Sequence, residues 1–373
     1  MTWLNDVMLA KEVVKRGRFK AATHGGVAHA DDTLAAALLH RAGSEAIYRL
    51  NTAEEAEKIE GDVVLFDIGD SFKDRLPPRF VVLDHHGVSD PAEEPSSAVQ
   101  VALTVDAKPT PLVATLMHFL DLFDRFGPVV KKWAGPYGNS LNNGMAKYFS
   151  DAAPTGLVKD EKFLALLADA FYSKLDLDPQ ALTEAFRVAE KVPAAQLAAQ
   201  FPRTFQTLKL MVDAASNPAV LTSKEAYETG FGVDFACYAV LAVPELESYV
   251  VRGLERHYAE AKRAAELASA GRYVLVDGVA YVAVAAEDHV PPGSLYNALM
   301  DLGRLPDKPV FVVVKDRRNP GAYTLWRPDK YANVVDFRRL SGDALVFKHA
   351  SGFLAVVKAA SAEEAARWAL AQL

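Results

Sequence analysis

This 373-residue sequence predicts an α/β protein: an open parallel sheet at the N-terminal end, a mostly helical middle, and a smaller α/β domain at the C-terminal end. Three observations carry that prediction. Apolar runs of strand length alternate with helical patterns over residues 1–127, apolar residues recur at helical spacing over 128–270, and short apolar runs return over 271–373. A prior of about 150 residues per domain agrees with two or three such bodies.

The N-terminal elements follow in order. Arg18–Thr23 is a short strand, and His24-Gly25-Gly26-Val27-Ala28-His29-Ala30 is a glycine-bearing loop. Asp31 and Asp32 open a helix over Thr33–Arg41, because carboxylates accept the orphan N–H groups of a first turn. Gly43 stands where that helix stops. Ala46–Leu50 is a second strand and Ala53–Ile59 a short helix. Val63–Phe66 is a third strand ending at Asp67, and Phe80–Leu83 a fourth ending at Asp84-His85-His86. Ser96–Val105 and Pro111–Phe126 read as helices.

In the middle, Glu161–Tyr172, Pro179–Lys191 and Leu246–Ala270 are helical and carry no motif of known chemistry. Beyond them, Tyr273–Asp277, Ala280–Ala285, Val310–Val314 and Tyr323–Arg327 are strands. Leu345–Val357 reads as two strands around a tight turn. Ala360–Leu373 is a closing helix with Ser361 as N-cap and Glu364 three residues on, a capping-box pattern.

Composition limits the function. Half of the residues are hydrophobic (50%) and 24% are charged, as in a soluble globular protein. A formal charge of -7 argues against broad coating of duplex nucleic acid and leaves phosphorylated small molecules or short nucleic acids as substrates. Cys237 is the single cysteine, so neither an intramolecular disulfide nor a thiolate zinc site can form. The opening MTWLNDVMLAKEVVKRGR is interrupted by charge before a signal-peptide core develops, and no run approaches the ~18 apolar residues of a membrane helix. A cytoplasmic enzyme is expected.

Functional side chains gather beyond the C-terminal ends of parallel strands. Three strand ends here carry metal-ligand residue types: His24, His29 and Asp31; Asp67; and Asp84, His85 and His86. A lone histidine at a strand end is usually a surface residue, and Asp31 and Asp32 alone could be helix caps. It is the joint occurrence at successive strand ends that points to metal. The donors are nitrogen and oxygen only, which favours manganese, with magnesium or cobalt as alternatives, over structural zinc. Two ions sharing a carboxylate such as Asp67 would clamp the attacking and leaving oxygens of a phosphoryl group, with a bridging hydroxide as in-line nucleophile.

The segments ATHGGVAHADD, LFDIGD and LDHHG resemble the motifs of the DHH phosphoesterase superfamily. Within it they are most similar to the family named after melanocyte proliferating gene one. That family opens with a Thr-His-Asn-Gly…His-Cys-Asp-Glu motif; here Gly replaces Asn, Ala30 replaces Cys and Asp32 replaces Glu. Ser96-Ser97-Ala98 and the stretch FKHASGF (347–353) also match. The resemblance covers both ends of the chain and is weak between them.

The resemblance implies a 1–127 catalytic domain, a 128–270 connecting region and a 271–373 substrate-binding domain. It implies that His24, His29 and Asp67 hold one metal, and that Asp31, Asp67, His85 and a downstream Asp hold the other. Asp121 and Asp124 both suit that last role, being three apart on one helix; Asp121 is slightly preferred. Arg125-Phe126 stand where the family has Asn-Gly. Asp84 would orient His85, and His86 would face the substrate phosphate. Lys348, His349 and Gly352 form a candidate phosphate pocket, with Arg317-Arg318 and Arg338-Arg339 as further cations and Tyr323 and Trp326, near Arg327, as candidate base-stacking groups.

The implied activity is a 3′-to-5′ exonuclease on RNA or short oligonucleotides. The alternatives are a phosphatase of small nucleotide bisphosphates and a non-catalytic scaffold in a nucleic-acid-processing assembly. The tail lacks the Arg-Lys-Lys cluster of a DHH pyrophosphatase, and no Gly-Gly-His motif of the single-strand DNA exonuclease branch is present. Homo-oligomerisation is left open.

Overall fold

A computed structural model describes residues 2–68, 76–86, 90, 92–127, 130, 137–138, 141–193, 195–349 and 351–373. Gly69 and Asp70 of LFDIGD, Gly87 of LDHHG and Ala350 of the C-terminal motif lie outside these residues. The chain forms two compact units, one of Met1–Val192 with Leu210–His257 and one of Pro193–Lys209 with Tyr258–Leu373.

The first unit is built on five strands: β1 (Phe19–His24), β2 (Ile47–Leu50), β3 (Asp62–Phe66), β4 (Phe80–Leu83) and β5 (Gly156–Leu157). Their order is β4-β3-β1-β2-β5. The first four are parallel and β5 runs antiparallel to β2. Every residue of β4 is buried, and so are Val63–Phe66 of β3, as expected for strands covered on both faces. The helices of the N-terminal third are α1 (Thr2–Lys15), α2 (Ala30–Arg41), α3 (Ala53–Glu57), α4 (Ser97–Thr104) and α5 (Pro111–Phe126). Residues Asp31 to Leu39 of α2 are all buried, so it is a central helix without a solvent face.

The connecting region supplies α6 (Asn142–Ala152), α7 (Glu161–Phe171), α8 (Pro179–Phe186), α9 (Ala195–Gln200), α10 (Gln206–Ser216), α11 (Lys224–Thr229), α12 (Phe235–Ala242) and α13 (Glu247–Ser269). The helix expected over Pro179–Lys191 ends at Phe186 and tightens into a 3-10 turn over Arg187–Lys191. α1 went unread in the sequence because Asn5, Asp6, Lys11 and Glu12 break up its apolar pattern; its buried face is Val7, Ala10 and Val13.

The second unit has a six-stranded sheet: β6 (Val274–Asp277), β7 (Val282–Ala286), β8 (Val310–Lys315), β9 (Ala322–Trp326), β10 (Leu345–Lys348) and β11 (Leu354–Lys358), in the order β10-β11-β9-β8-β7-β6. Among these strands only β7 and β8 pair in parallel, joined through α14 (Pro292–Asp301). α15 (Ala362–Leu370) packs Ala362, Ala365, Ala366 and Ala369 into a core with Phe311, Leu325 and Phe337. Its N-terminus is capped as expected: Glu364 N–H donates to Ser361 Oγ at 3.1 Å, and the Glu364 carboxylate accepts from Ala360 N–H at 2.9 Å. No helix among the described residues is long and apolar enough to cross a membrane.

The strand order of the first sheet positions the site. β2 lies on one side of β1, and β3 and β4 lie on the other. The chain therefore winds outward from β1 in both directions and leaves a crevice beyond the C-terminal ends of β1 and β3. His24 ends β1 and Asp67 follows β3.

Candidate metal centre

The centre begins where β1 stops. His24 is buried, and its Nδ1 lies 2.9 Å from the Gly25 carbonyl, which assigns Nδ1 as the protonated nitrogen and leaves Nε2 as the donor of a lone pair. Gly25 is closely covered: a Cβ there would lie 2.3 Å from Asn51 Oδ1, whose side chain would have to move, and 3.1 Å from the Pro154 carbonyl. The backbone then turns to His29, the N-cap of α2, whose N–H donates to Asp32 Oδ1 at 2.8 Å. Of the two acids, it is Asp32 that serves the cap. Asp31 turns toward α4, where Oδ1 accepts from Ala98 N–H at 3.0 Å and Oδ2 is buried without a hydrogen-bond partner among the described residues.

Asp67 occupies the middle. Its φ of 55° is left-handed, a conformation that costs a non-glycine residue energy and that aspartate tolerates better than most. Both carboxylate oxygens are buried without a hydrogen-bond partner among the described residues. Around them stand His24 Nε2 at 3.4 Å, His86 Nδ1 at 3.5 Å and His85 Nε2 at 3.7 Å. Burial pushes the Asp67 carboxyl up, but these histidines outweigh it and hold it well below the usual carboxylate range. For Asp31 the balance is reversed: burial, with Asp124 and Asp67 beside it, outweighs His85 and Ser96 and pushes it well above that range.

β4 delivers the rest. His85 Nε2 lies 2.8 Å from Asp124 Oδ2. Burial opposes its charged form, yet Asp124 and Asp67 prevail and push it up to about 12. Asp84 departs from expectation. It accepts from the His85 backbone N–H at 2.9 Å and pairs with the His86 ring at Nδ1, 2.7 Å away. The ring that it orients is therefore that of His86, two residues on, while His85 turns to Asp124.

The two acids of α5 separate. Asp121 Oδ1 accepts from Ser96 N–H at 2.7 Å, and its carboxylate is gripped by Arg125 at 3.0 Å through Nε and 2.6 Å through Nη2. Asp124 faces His85. The slight sequence preference for Asp121 therefore gives way to Asp124, because Arg125 ties up the former. Among the described residues, three sets of side chains have donor atoms close enough together to hold an ion: His24, His29 and Asp67; Asp31, Asp67 and Asp124; and Asp67, Asp84, His85 and His86. Asp67 belongs to all three. An all-oxygen-and-nitrogen donor set around a carboxylate with two orphaned oxygens fits a divalent cation of the manganese or magnesium type.

Sequence reasoning missed Arg49. It is fully buried in β2, donating from Nε to the His24 carbonyl at 3.1 Å and from Nη1 to the Ala153 carbonyl at 2.8 Å. Its guanidinium lies over the Phe149 ring, 5.1 Å from the centroid, and Nη2 is 3.9 Å from Asp32 Oδ2. The available signal was a lone arginine inside the apolar strand IYRL.

The candidates of the second unit are largely engaged in structure. Lys348 Nζ donates to the Arg338 and Leu340 carbonyls, each at 3.0 Å. His349 Nδ1 accepts from Ser351 N–H at 3.1 Å. Gly352 has φ of +69°, and a Cβ there would lie 2.1 Å from Asp336 Oδ1. Arg317 pairs with buried Glu260 at 2.7 Å and Arg338 with Asp336 at 2.7 Å. Tyr323 hydroxyl donates to Glu287 at 2.9 Å, and Trp326 packs edge-on to Tyr296.

No protein-family model matches the chain, and no curated protein matches it significantly. Among solved structures it is similar to RecJ in complex with Mn2+ from Thermus thermophilus, at 17% identity over 99% of this chain and a TM-score of 0.41. The chain spans about half of that protein, 53% of its length.

Proposed function

We propose that the chain is a divalent-metal-dependent phosphoesterase of the DHH superfamily, of the melanocyte proliferating gene one type, and that it acts as a 3′-to-5′ exonuclease on RNA or short oligonucleotides. The supporting observation is Asp67: a buried carboxylate with both oxygens lacking hydrogen-bond partners among the described residues, common to three His/Asp sets at the sheet's switch point.

In this reading His24, His29 and Asp67 hold one ion, and Asp31, Asp67, His85 and Asp124 hold the other. When bound, the ions supply Lewis acidity toward a phosphoryl oxygen and lower the pKa of water. The protein's own groups do the positioning. Arg49 fixes the end of β1 through the His24 carbonyl. Asp84 holds His86, whose side chain is 43% exposed and so accessible to a phosphate oxygen. Residues 1–127 then carry the chemistry, 128–270 connect, and 271–373 bind substrate.

The test is hydrolysis of a 5′-labelled RNA oligomer and its DNA twin, with manganese and with chelator. A manganese-dependent ladder shortening from the 3′ end of the RNA is expected. A chain that binds manganese but cleaves neither oligomer would transfer the reading to small nucleotide bisphosphates, and one that binds no metal would reduce it to a scaffold.

A further inference from the structure

The second unit contains a buried cation that forms no ion pair among the described residues. Arg327 follows β9 and is 6% exposed. Its backbone N–H donates to the Phe353 carbonyl at 3.0 Å and its Nη2 to the Ser351 carbonyl at 3.3 Å. Its Nε is buried without a hydrogen-bond partner among the described residues. Two acids act on it through space, Asp329 and Asp336. Neither forms an ion pair with it among the described residues, and Asp336 is taken by Arg338 through both Nε and Nη2. A largely buried guanidinium that donates to one carbonyl and meets its acids only through space is costly to the folded state. Groups of this kind are stabilised when an anion arrives.

The surroundings suit an oxyanion. The hairpin between β10 and β11 passes directly over Arg327, and Gly352 is held in left-handed geometry against Asp336. On the same hairpin, His349 Nδ1 accepts from Ser351 N–H. A neutral His349 ring therefore carries its hydrogen on Nε2, which makes that nitrogen a donor. Lys348, the nearest alternative cation in the motif, spends its ammonium on the Arg338 and Leu340 carbonyls.

We propose that Arg327 forms an anion subsite that takes a phosphate group of the substrate, and that Lys348 is structural. The identification of the anion as phosphate rests on the phosphoesterase reading; the buried guanidinium does not. Arg is suited to this because its planar fork matches a phosphate edge with charge-assisted hydrogen bonds.

The experiment measures thermal unfolding of the full chain in chelator, titrated with inorganic phosphate or with acetate, for the wild type, Arg327→Gln, Arg327→Lys and Lys348→Gln. Phosphate is expected to raise the wild-type Tm more than acetate does. Arg327→Gln should weaken phosphate by about tenfold or more, Arg327→Lys should restore part of it, and Lys348→Gln should leave it unchanged. Without phosphate, Arg327→Gln should melt no lower than the wild type, because it removes a buried charge. Unchanged phosphate affinity in Arg327→Gln, or a lowered Tm of that variant without phosphate, would overturn the subsite. An acetate response equal to that of phosphate would overturn its assignment to phosphate. Because binding is read without metal, an Arg327-dependent phosphate shift in a chain that hydrolyses nothing with manganese supports the subsite while sinking the hydrolase.

Discussion

His85 Nε2 lies 2.8 Å from Asp124 Oδ2, and three residues earlier on the same helix Asp121 is bound by Arg125. The two acids are therefore not equivalent. Asp124→Asn should weaken manganese uptake sharply while lowering the melting temperature of the metal-free chain less than Asp121→Asn does, because His85 keeps Asp67 as a counter-charge. Asp121→Asn should do the reverse, costing about 3 kcal/mol by removing the charge that pairs with the largely buried Arg125. Metal titration and thermal unfolding of both variants distinguish the roles; a swapped outcome would make Asp121 the ligand.

Asp67→Asn is the sharper probe of the centre. Asparagine accepts the left-handed φ of 55° at this position about as readily as aspartate, so the backbone is spared. Hydrolysis and manganese binding should both fall below detection, with the circular dichroism spectrum unchanged. Full activity in a folded Asp67→Asn or Asp67→Ala protein would end the two-ion model.

Arg49→Met should destabilise the chain by about 3–5 kcal/mol, since it leaves Asp32 without its nearby cation and the His24 and Ala153 carbonyls without their donors. Denaturant unfolding checks this. Stability within about 1 kcal/mol of wild type, the worth of a single ordinary hydrogen bond, would mean that water replaces the guanidinium.

Cys237 is buried in α12, and burial together with Asp234 pushes its thiol well above its ordinary value. A raised thiol pKa means that the unreactive neutral form persists as pH rises through the range where a free cysteine ionises, near ~8.5. At a pH of about 9, just above that range, a thiol reagent should label the native protein only on the timescale of unfolding and label it at once in denaturant. Rapid native labelling would contradict the burial.

Manganese should support faster turnover than calcium. A compact His/Asp centre offers nitrogen donors and few oxygens, whereas calcium prefers about six to eight oxygen ligands in a looser shell. Equal rates with both ions would speak against that centre.

Much of this was legible in the sequence. The alternation of largely apolar runs with helical patterns identified the four parallel strands, because strands buried on both faces, such as β3 and β4, are apolar nearly throughout. Three of these runs break off at ionisable residues, which placed His24, Asp67 and His85 at strand ends. The sequence could not choose between Asp121 and Asp124, since residues three apart share a helix face and only the approach of Ser96 and Arg125 separates them. Nor could it foresee that Asp84 would orient His86, that Lys348 would serve two carbonyls, or that Arg49 and Arg327 would be buried. Local pattern determines which segments become strands and helices, because periodicity and capping act between near neighbours. Which polar group meets which is decided by contacts between residues far apart in the chain, and those exist only once the fold has formed.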